Sequence, residues 1–212
     1  MAAAKIWSNV QVAMQSVLAA AVTITALSKA SPGVATAANT YVNGDYVLVL
    51  AQGMSQVNGR VFRVSAAAAG AFTLEGEDTT LYDTFTSGTA QKITYATSLG
   101  TVKGLTAAGG DFEFKNTTTI HDTIASQIPG LASAINYDFE NIWDVADAGL
   151  LAMKSASDAK AQRAIRFTFS DQSKMLFNSY VGCTLLPGGN AQDLVTTKSV
   201  LTLFGRPTYY AT

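Results

Sequence analysis

A period-two alternation of apolar and polar residues near the end of the sequence constrains this fold more than any other feature. Ile165 and Phe167 alternate with polar residues, and after a polar turn at residues 171–173 a second run sets Met175, Phe177 and Ser179 against Leu176 and Tyr180. Successive side chains of a strand point to opposite faces, so each run places an apolar face inward and a polar face outward. The short turn between the two runs predicts a β-hairpin.

The longest strand predicted by the sequence follows, over residues 194–204, and both of its faces are apolar. One face carries Leu194, Val200 and Phe204, and the other carries Val195, Leu201 and Leu203. A strand that is apolar on both faces needs a partner on each. In a chain of this length the second partner can be another copy, which makes these six residues candidates for packing between subunits.

The low charge content also indicates an assembly. Charged residues make up 14% of the 212 residues, against roughly 25% in a typical soluble domain. We therefore expect much of the surface to be covered by other subunits, although a surface of Thr, Ser, Asn and Gln is an alternative. The 14 basic residues are balanced by 15 acidic ones, which does not favour a nucleic-acid-binding protein.

Residues suited to catalysis are few. The sequence has one histidine, His121, and one cysteine, Cys183, so metal sites that need several His or Cys ligands are excluded. Cys183 lies in an apolar run and is predicted to be a small buried hydrophobic residue. Asp138, Glu140 and Asp144 could form a hydrolase site, but a strand face and a helix cap explain them better. We predict no enzymatic activity, cofactor or metal.

The N-terminal sequence resembles a secretion signal only superficially. Lys5 precedes an apolar run, but Ser8, Asn9, Gln11 and Gln15 interrupt it, and the alternation predicts a strand over residues 6–18. No apolar run reaches the roughly 20 residues of a membrane-spanning helix. The single cysteine fits assembly in a reducing cytoplasm.

Residues 22–95 are predicted to form a small β-barrel or sandwich. Turn signals such as Asn43-Gly44 and Asn58-Gly59 recur about every ten residues, with short strands between them. The segment is expected to be inserted into a second domain made of residues 1–21 and 96–212, and to project outward from it.

The part that follows residue 96 is predicted to mix strands with helices. Strands are expected at residues 111–115 and 135–140. A short helix is expected to begin at Thr119, because three isoleucines follow at four-residue spacing, and to end at Pro129-Gly130. The main helix is expected to be capped by Asp144 and to lie against a sheet.

Three stretches of this half resemble the major tail tube protein of long, non-contractile-tailed bacteriophages of the siphophage type. They are FEFKNTTTIHDTIASQIPGL, FENIWDVADAGLLAMKSASDAKAQRAIRFTFSDQSKMLFNSYVG and NAQDLVTTKSVLTLFGRPTYY. The segment with NGDYVLVL and GMSQVNGRVFRV is similar to a small β module inserted in various virion proteins and related to a domain of ubiquitin-activating enzymes. The catalytic cysteine of those enzymes has no counterpart in residues 22–95.

The resemblance implies a β-sandwich with one flanking α-helix, plus the inserted small all-β domain. It also implies hexameric rings whose strands join in a continuous inner barrel and which stack into the tail tube of the virion. The implied partners are other copies of the chain and the tape measure, tail terminator and tail tip proteins. DNA would pass through during ejection into the host without specific binding, no membrane would be involved, and assembly would take place in the host cytoplasm.

Passage of DNA sets an expectation for the lumen. A basic lumen would hold the genome by counterion release, so a neutral or acidic lumen is expected. The candidates to line it are Asp111 and Glu113 on one strand face, with Asp138 and Glu140 as the second choice. Outward, solvated faces are the alternative position for both pairs.

A virion adhesin or decoration protein is the alternative function. In that hypothesis residues 22–95 recognise a host polysaccharide, and Tyr41, Tyr46 and Tyr82 supply the contacts. The formation of rings or tubes would distinguish the two functions.

Overall fold

The structure is a computed structural model that describes residues 7–211. The described residues are mainly in antiparallel strands, with one α-helix, which confirms the predicted mainly β fold. The elements in chain order are β1 Gln11–Met14, β2 Val17–Leu18, β3 Val22–Ile24, β4 Ala26–Leu27, β5 Val34–Thr36, β6 Tyr46–Gln52, a short 3-10 turn Ser55–Val57, β7 Arg60–Ala68, β8 Ala71–Leu74, β9 Ser87–Thr94, β10 Thr97–Ser98, β11 Val102–Ala108, β12 Phe112–Asn116, β13 Gln127–Ala132, β14 Asn136–Ile142, α1 Ala148–Asp158, β15 Gln162–Thr168, β16 Lys174–Cys183 and β17 Thr196–Tyr210.

The main sheet has seven strands in the order β10-β1-β15-β16-β17-β14-β11. Strands β15 and β16 form the predicted hairpin, in which Ile165 lies opposite Phe177 and Phe167 opposite Met175. These four side chains are buried. The apolar face predicted from the alternation is therefore confirmed as the inner face of the sheet.

The main sheet curls until two of its walls meet. The ring centroids of Phe139 in β14 and Phe167 in β15 lie 6.1 Å apart, although β16 and β17 separate these strands. In a flat sheet three strand spacings of about 4.8 Å would hold them about 14 Å apart. We call β1, β15 and β16 the β15 wall, and β11, β14 and residues 196–203 of β17 the β14 wall. The two walls pack face to face, as the layers of a β-sandwich do.

Helix α1 packs into the same core. Its buried apolar side chains are those of Leu150, Met153 and Ala156. The predicted cap at Asp144 is wrong: the backbone N–H of Leu150 donates to Asp147 Oδ1 at 2.8 Å, so Asp147 is the N-cap. Asp144 instead closes the preceding turn, where its Oδ1 accepts a hydrogen bond from the backbone N–H of Ala146.

The predicted first strand over residues 6–18 is broken at residues 15–16. Ile6 lies outside the described residues. The backbone N–H of Gln15 donates to the carbonyl of Ala164 in the main sheet, and that of Ser16 donates to the carbonyl of Thr94 in a second sheet. The chain passes from one sheet to the other at this point, so β1 and β2 cannot be a single strand.

The second sheet is built within residues 17–94 and has its own core. Eight strands contribute, in the order β2-β9-β6-β7-β8-β5-β4, with β3 paired to β9. Its entering strand β2 lies beside its leaving strand β9, with Val17 opposite Thr94. The core residues of this sheet are Ile24, Leu27, Ala35, Ala37, Tyr41, Val47, Val49, Ala51, Met54, Val57, Phe62, Val64, Phe72, Leu74 and Ala90.

A third cluster of buried side chains joins the two sheets, and we call it the joint. The second sheet contributes Leu48, Val61 and Ile93, and the outer face of the main sheet contributes Ala164, Leu176 and Tyr210. The second sheet therefore covers the outer face of the β15 wall and the C-terminal part of β17.

A two-stranded hairpin, β12 and β13, leaves the main sheet after β11 and returns at β14. We call residues 109–135 the arm. The chain turns into it at Gly109 and Gly110, whose φ angles are +89° and +88°. A Cβ atom at Gly109 would lie 2.0 Å from the carbonyl oxygen of Ala134, so only glycine fits there.

The helix predicted to begin at Thr119 is wrong. The segment is the tip of the arm, where the backbone N–H of Thr117 donates to the carbonyl of Ser126 and that of Asp122 donates to the carbonyl of Thr119. Threonine has a low helix propensity and fits strands well. Cross-strand pairing therefore prevails over the helical spacing of the isoleucines.

Candidate assembly surfaces

The outer face of the β14 wall is exposed. Adjacent strands place Val200, Asp138 and Thr106 side by side on this face, and all three are exposed. The side chain of Val200 is 40% exposed. The second sheet covers only the opposite part of the curled sheet, so no element among residues 7–211 packs on this surface.

The charges on this exposed face nearly cancel. Asp138 and Glu140 both point to it, and Lys198 lies directly opposite Glu140 in the neighbouring strand. Lys103 Nζ also reaches Glu140 Oε1, at 3.6 Å. The second-choice acidic pair therefore lies on the wall of the main sheet.

The first-choice acidic pair lies elsewhere. Asp111 and Glu113 are exposed residues of the arm, and the ammonium of Lys115 hydrogen-bonds Glu113. The structure thus places the first-choice pair on the arm and the second-choice pair on the β14 wall.

The six packing candidates fall into three environments. Leu194 and Val195 precede β17 and are exposed, as is Val200. Leu201 is fully buried in the core of its own chain, and Leu203 packs against that core.

Phe204 faces the second sheet. A Cβ atom at Gly59 would lie 2.3 Å from the Phe204 ring, so the ring fills the space above that glycine. The face of β17 that carries Val200 and Phe204 is thus covered by its own chain at Phe204 and exposed at Val200. Strand β17 has 15 residues, and it begins two residues later and ends six residues later than predicted.

The arm exposes apolar side chains along its whole length. Every residue from 111 to 129 is exposed. The large apolar side chains involved, with their exposed fractions, are Phe112 52%, Phe114 60%, Ile120 95%, Ile124 82%, Ile128 55% and Leu131 87%. Such a patch marks an interaction surface, and an isolated two-stranded hairpin is marginally stable in water.

The joint contains polar contacts that the sequence analysis missed. The backbone N–H of Arg63 donates to the Tyr210 hydroxyl at 2.7 Å, and the Arg63 guanidinium lies 4.6 Å from the Tyr210 ring centroid. The guanidinium of Arg166 lies 4.9 Å from the ring centroid of Tyr95. The sequence signal that could have indicated these contacts is an arginine within each of two apolar strands, RVFRV and RAIRF.

The three tyrosines of the adhesin hypothesis do not form an exposed platform. Tyr41 is buried, and its hydroxyl donates to the carbonyl of Ala90. Tyr46 packs edge-on against Tyr95 in the joint. The hydroxyl of Tyr82 donates to the carboxylate of Glu77. Each ring is occupied by contacts within the chain, which removes the support for this function.

No arrangement suited to catalysis is found in the part of the chain that the structure describes. Burial raises the pKa of the Cys183 thiol, which disfavours the nucleophilic thiolate. His121 lies in the exposed tip of the arm. Within residues 7–211, no group of three His, Cys, Asp or Glu side chains is placed to hold a metal ion, and no helix is long and apolar enough to cross a membrane.

A comparison with protein families gave a match over most of the chain. The family model described as phage tail tube protein, TTP, matches residues 52–212, which is well over half of the chain. The matched region includes the β14 wall, the arm and every residue of the joint except Leu48. A comparison with curated proteins gave no match.

Proposed function

This chain belongs to the phage tail tube protein family, and we propose that its copies form hexameric rings that stack into a long, non-contractile tail. As a member of that family it is a structural protein of the virion tail and not an enzyme. In the proposal the tube is the conduit for DNA ejection. Its neighbours are the tape measure, tail terminator and tail tip proteins, and assembly takes place in the host cytoplasm.

The observation that carries the proposal is the exposed face of the β14 wall. An antiparallel sheet commonly packs one face on the core and leaves a polar face in water. This face combines the exposed apolar Val200 with the nearly balanced Asp138, Glu140 and Lys198. A wall of this kind suits a water-filled channel.

The charge on this wall suits the passage of DNA. Binding to phosphates becomes tighter with each basic residue that releases counterions. On the exposed face, Asp138 and Glu140 oppose Lys198 and the nearby Lys103, so the wall offers no basic stripe. We therefore infer that the second-choice pair, Asp138 and Glu140, lines the lumen, and that Asp111 and Glu113 belong to contacts made by the arm.

The proposed orientation of the β14 wall toward the lumen also sets the position of the second sheet in the tube. It covers the outer face of the β15 wall, which lies across the core from the β14 wall. If the β14 wall faces the lumen, the second sheet lies on the outside of the tube. This supports a division into a tail-tube core, residues 1–21 and 96–212, and an inserted domain, residues 22–95, that projects outward, except that β2 at Val17–Leu18 already pairs with β9 of the second sheet.

Electron microscopy of the purified full-length protein tests the proposed function. We expect stacked rings with a central channel, and a reconstruction should show Asp138 and Glu140 at the channel surface. Monodisperse particles of the size of one chain, at every concentration tested, would contradict assembly into a tube. A channel lined mainly by Lys and Arg would contradict the electrostatic argument alone.

Deleting residues 21–95 tests the domain division. The entering and leaving strands are adjacent, since the backbone N–H of Ser16 donates to the carbonyl of Thr94 at 2.8 Å. Joining Ala20 to Ala96 through a short Gly-Ser linker is therefore expected to allow tube assembly. The deletion also exposes Leu176 and Tyr210, so Leu176→Ser in the same chain is the matched variant to limit aggregation. A deleted chain that folds but never forms rings would place residues 22–95 in the contact between subunits.

A further inference from the structure

Polar side chains are buried between the second sheet and the outer face of the main sheet, and we propose that three of them bind a water molecule that links the two sheets. The site is formed by Arg60 of the second sheet and by Asn178 and Thr208 of the main sheet. The contact lies within one chain, so it does not depend on the proposed function.

Buried polar atoms without a partner are concentrated at this boundary. Within residues 7–211, eight buried side-chain nitrogen or oxygen atoms have no hydrogen-bond partner in the protein. An unpaired buried donor or acceptor loses its hydration without compensation, and buried waters in proteins typically pair with such groups. Five of the eight atoms belong to residues at the boundary between the two sheets, namely Arg60, Tyr95, Arg166, Asn178 and Thr208.

Asn178 and Thr208 both lie on the outer face of the main sheet. Asn178 is opposite Ala164 and Thr208 is opposite Leu176, and these two partners belong to the joint. Asn178 and Thr208 are diagonal neighbours on β16 and β17, a relation that separates Cα atoms by about 7 to 8 Å. No direct hydrogen bond joins Asn178 Oδ1 to Thr208 Oγ1. One water can bridge two such atoms, because two hydrogen bonds of about 2.8 Å span up to about 5.5 Å.

Arg60 reaches the same place from the second sheet. Strand β17 bulges between the positions opposite Asn178 and Leu176, and Gly205 lies in this bulge with a φ angle of +82°. A Cβ atom at Gly205 would lie 3.2 Å from Cγ of Arg60. The aliphatic part of the arginine therefore lies against the bulge that Asn178 and Thr208 flank. Its Nε, two bonds beyond Cγ, is one of the buried atoms without a partner in the protein.

The charge of Arg60 is already compensated, which favours a neutral ligand. Its guanidinium forms a buried ion pair with Glu77, and its Nη1 also donates to the carbonyl of Gln56 at 3.1 Å. An anion at Nε would lie close to the Glu77 carboxylate, and like charges repel strongly where water is excluded. The arginine therefore offers this site an N–H donor without offering a free charge.

The donors and acceptors at the site match those of water. The amide nitrogen of Asn178 donates to Gln162 Oε1 at 2.7 Å, so its amide oxygen is left to accept. The Thr208 hydroxyl can donate or accept, and the Arg60 Nε–H can only donate. A water that accepts from Nε–H, donates to Oδ1 and bonds to the hydroxyl makes about three hydrogen bonds, the number typical of a buried water.

A water at this position adds a polar link to the joint. The hydrogen bond from the Arg63 backbone N–H to the Tyr210 hydroxyl already connects the second sheet to β17. Arg60 lies three residues before Arg63 on the same strand, so the water provides a separate link farther along that strand. Two links, together with the apolar side chains of the joint, resist rotation of one sheet on the other better than one link does.

An experimental structure of the full-length chain, at a resolution that shows ordered waters, tests the proposal directly. We expect a peak of density within about 3.2 Å of Arg60 Nε, Asn178 Oδ1 and Thr208 Oγ1. Direct hydrogen bonds among these three atoms would overturn the proposal. So would the absence of a peak in a map that shows waters at other buried positions.

Thr208→Val provides a second test through the sign of its effect. Valine has nearly the shape of threonine but no hydroxyl. If the hydroxyl binds the water, the variant loses a hydrogen bond, and we expect Tm to fall by about 2 to 4 °C. If the hydroxyl is buried without any partner, its removal relieves an uncompensated cost and Tm rises. A rise or an unchanged Tm would overturn the proposal.

Thr79→Val is the matched control for this measurement. Thr79 is 0% exposed, and its hydroxyl donates to the carbonyl of Ser28 at 2.7 Å, so it is a buried threonine with a known partner. Its replacement is expected to lower Tm. A fall at both positions would show that the Thr208 hydroxyl is also paired, whereas a fall at Thr79 alone would show that it is not.

Discussion

The second sheet and the arm both interrupt the main sheet, but only the second sheet encloses a core. Phe62 and Phe72 of the second sheet are fully buried, and an ion pair between Arg60 and Glu77 is buried with them. The arm fully buries none of its seven large apolar side chains, and six of them are 52% to 95% exposed.

The difference shows which part of the chain is complete by itself. Burying apolar surface stabilises a segment by roughly 25 cal/mol per Å², and a buried ion pair costs desolvation unless its partners are held in place. The second sheet buries its apolar surface and holds both members of its ion pair in place within one chain. The arm does neither, so its stable position depends on a partner that covers it.

The largest expected effect comes from placing a charge in the shared core. Leu201→Asp buries a carboxylate at a site that is 0% exposed, without a cation to pair it, so we expect at least about 4 kcal/mol of destabilisation and loss of the folded chain. Circular dichroism and urea denaturation measure it. Val200→Asp, at the adjacent but exposed position, is the control and is expected to change the free energy of unfolding by less than about 1 kcal/mol. Equal effects at both positions would show that the β14 wall is not exposed on one face.

The second prediction compares the two insertions directly. Phe72→Ala removes a fully buried ring that packs edge-on against Tyr41 at 5.2 Å, so we expect a loss of about 3 to 5 kcal/mol. Phe114→Ala in the arm is expected to cost less than about 0.5 kcal/mol in the single chain, while tube assembly weakens. Denaturation of unassembled protein gives the first quantity and electron microscopy the second. A large loss of stability for Phe114→Ala would mean that the arm already packs within its own chain.

The third prediction concerns the joint at alkaline pH. Burial raises the pKa of the Tyr210 hydroxyl from 10.0 to about 12. The folded chain thus keeps its proton more firmly than the unfolded chain, and the stability from this group is complete below pH 10. It is lost as the pH rises from 10 to 12, by roughly 3 kcal/mol at most.

Tyr210→Phe is the variant that measures this effect. It removes the acceptor of the Arg63 backbone N–H, so it lowers the free energy of unfolding near pH 8 by about 1 kcal/mol and flattens the decrease above pH 10. Tyr41→Phe is the control. Burial also raises the pKa of Tyr41 to about 12, but Tyr41 lies in the core of the second sheet and not in the joint. Denaturation at a series of pH values tests this. A Tyr210→Phe chain with the same alkaline slope as the original would refute the role of the joint.

The smallest effect on stability is expected on the β14 wall. Asp138→Lys with Glu140→Lys changes two residues that are not fully buried, so the free energy of unfolding should change by less than about 0.5 kcal/mol for each. The tubes should nevertheless retain short DNA, with an affinity that falls as salt rises. Asp78→Lys on the second sheet side is the control and should retain none. Retention by the control alone would place the lumen on the other side of the chain.

The local signals in the sequence were sufficient for the hairpin and for the location of the long strand. The alternation around Ile165 and Phe177 is a property of neighbouring residues, and the period of a strand fixes their faces. The helical spacing of Ile120 and Ile124 led to the wrong helix prediction for the same reason. Spacing reports only which side chains share a face, and the threonine-rich segment instead pairs across the arm.

The candidate site depended more on contacts between distant residues. Asp138 and Glu140 were correctly placed on one strand face by spacing alone, but that this face stays exposed follows from the curl that brings Phe139 against Phe167. The joint was missed altogether. Arg63 and Tyr210 are separated by 147 positions in the chain, and no local pattern relates two such residues.

The sequence by itself determined that this protein is mainly β, is sparsely charged and has few side chains suited to catalysis, because those properties follow from composition and short-range periodicity. The tertiary structure alone decided which apolar faces remain uncovered. Whether Val200 or Leu201 meets solvent depends on how the sheet bends and on what the rest of the chain covers. That outcome is set by the packing of residues far apart in sequence, which alternation does not encode.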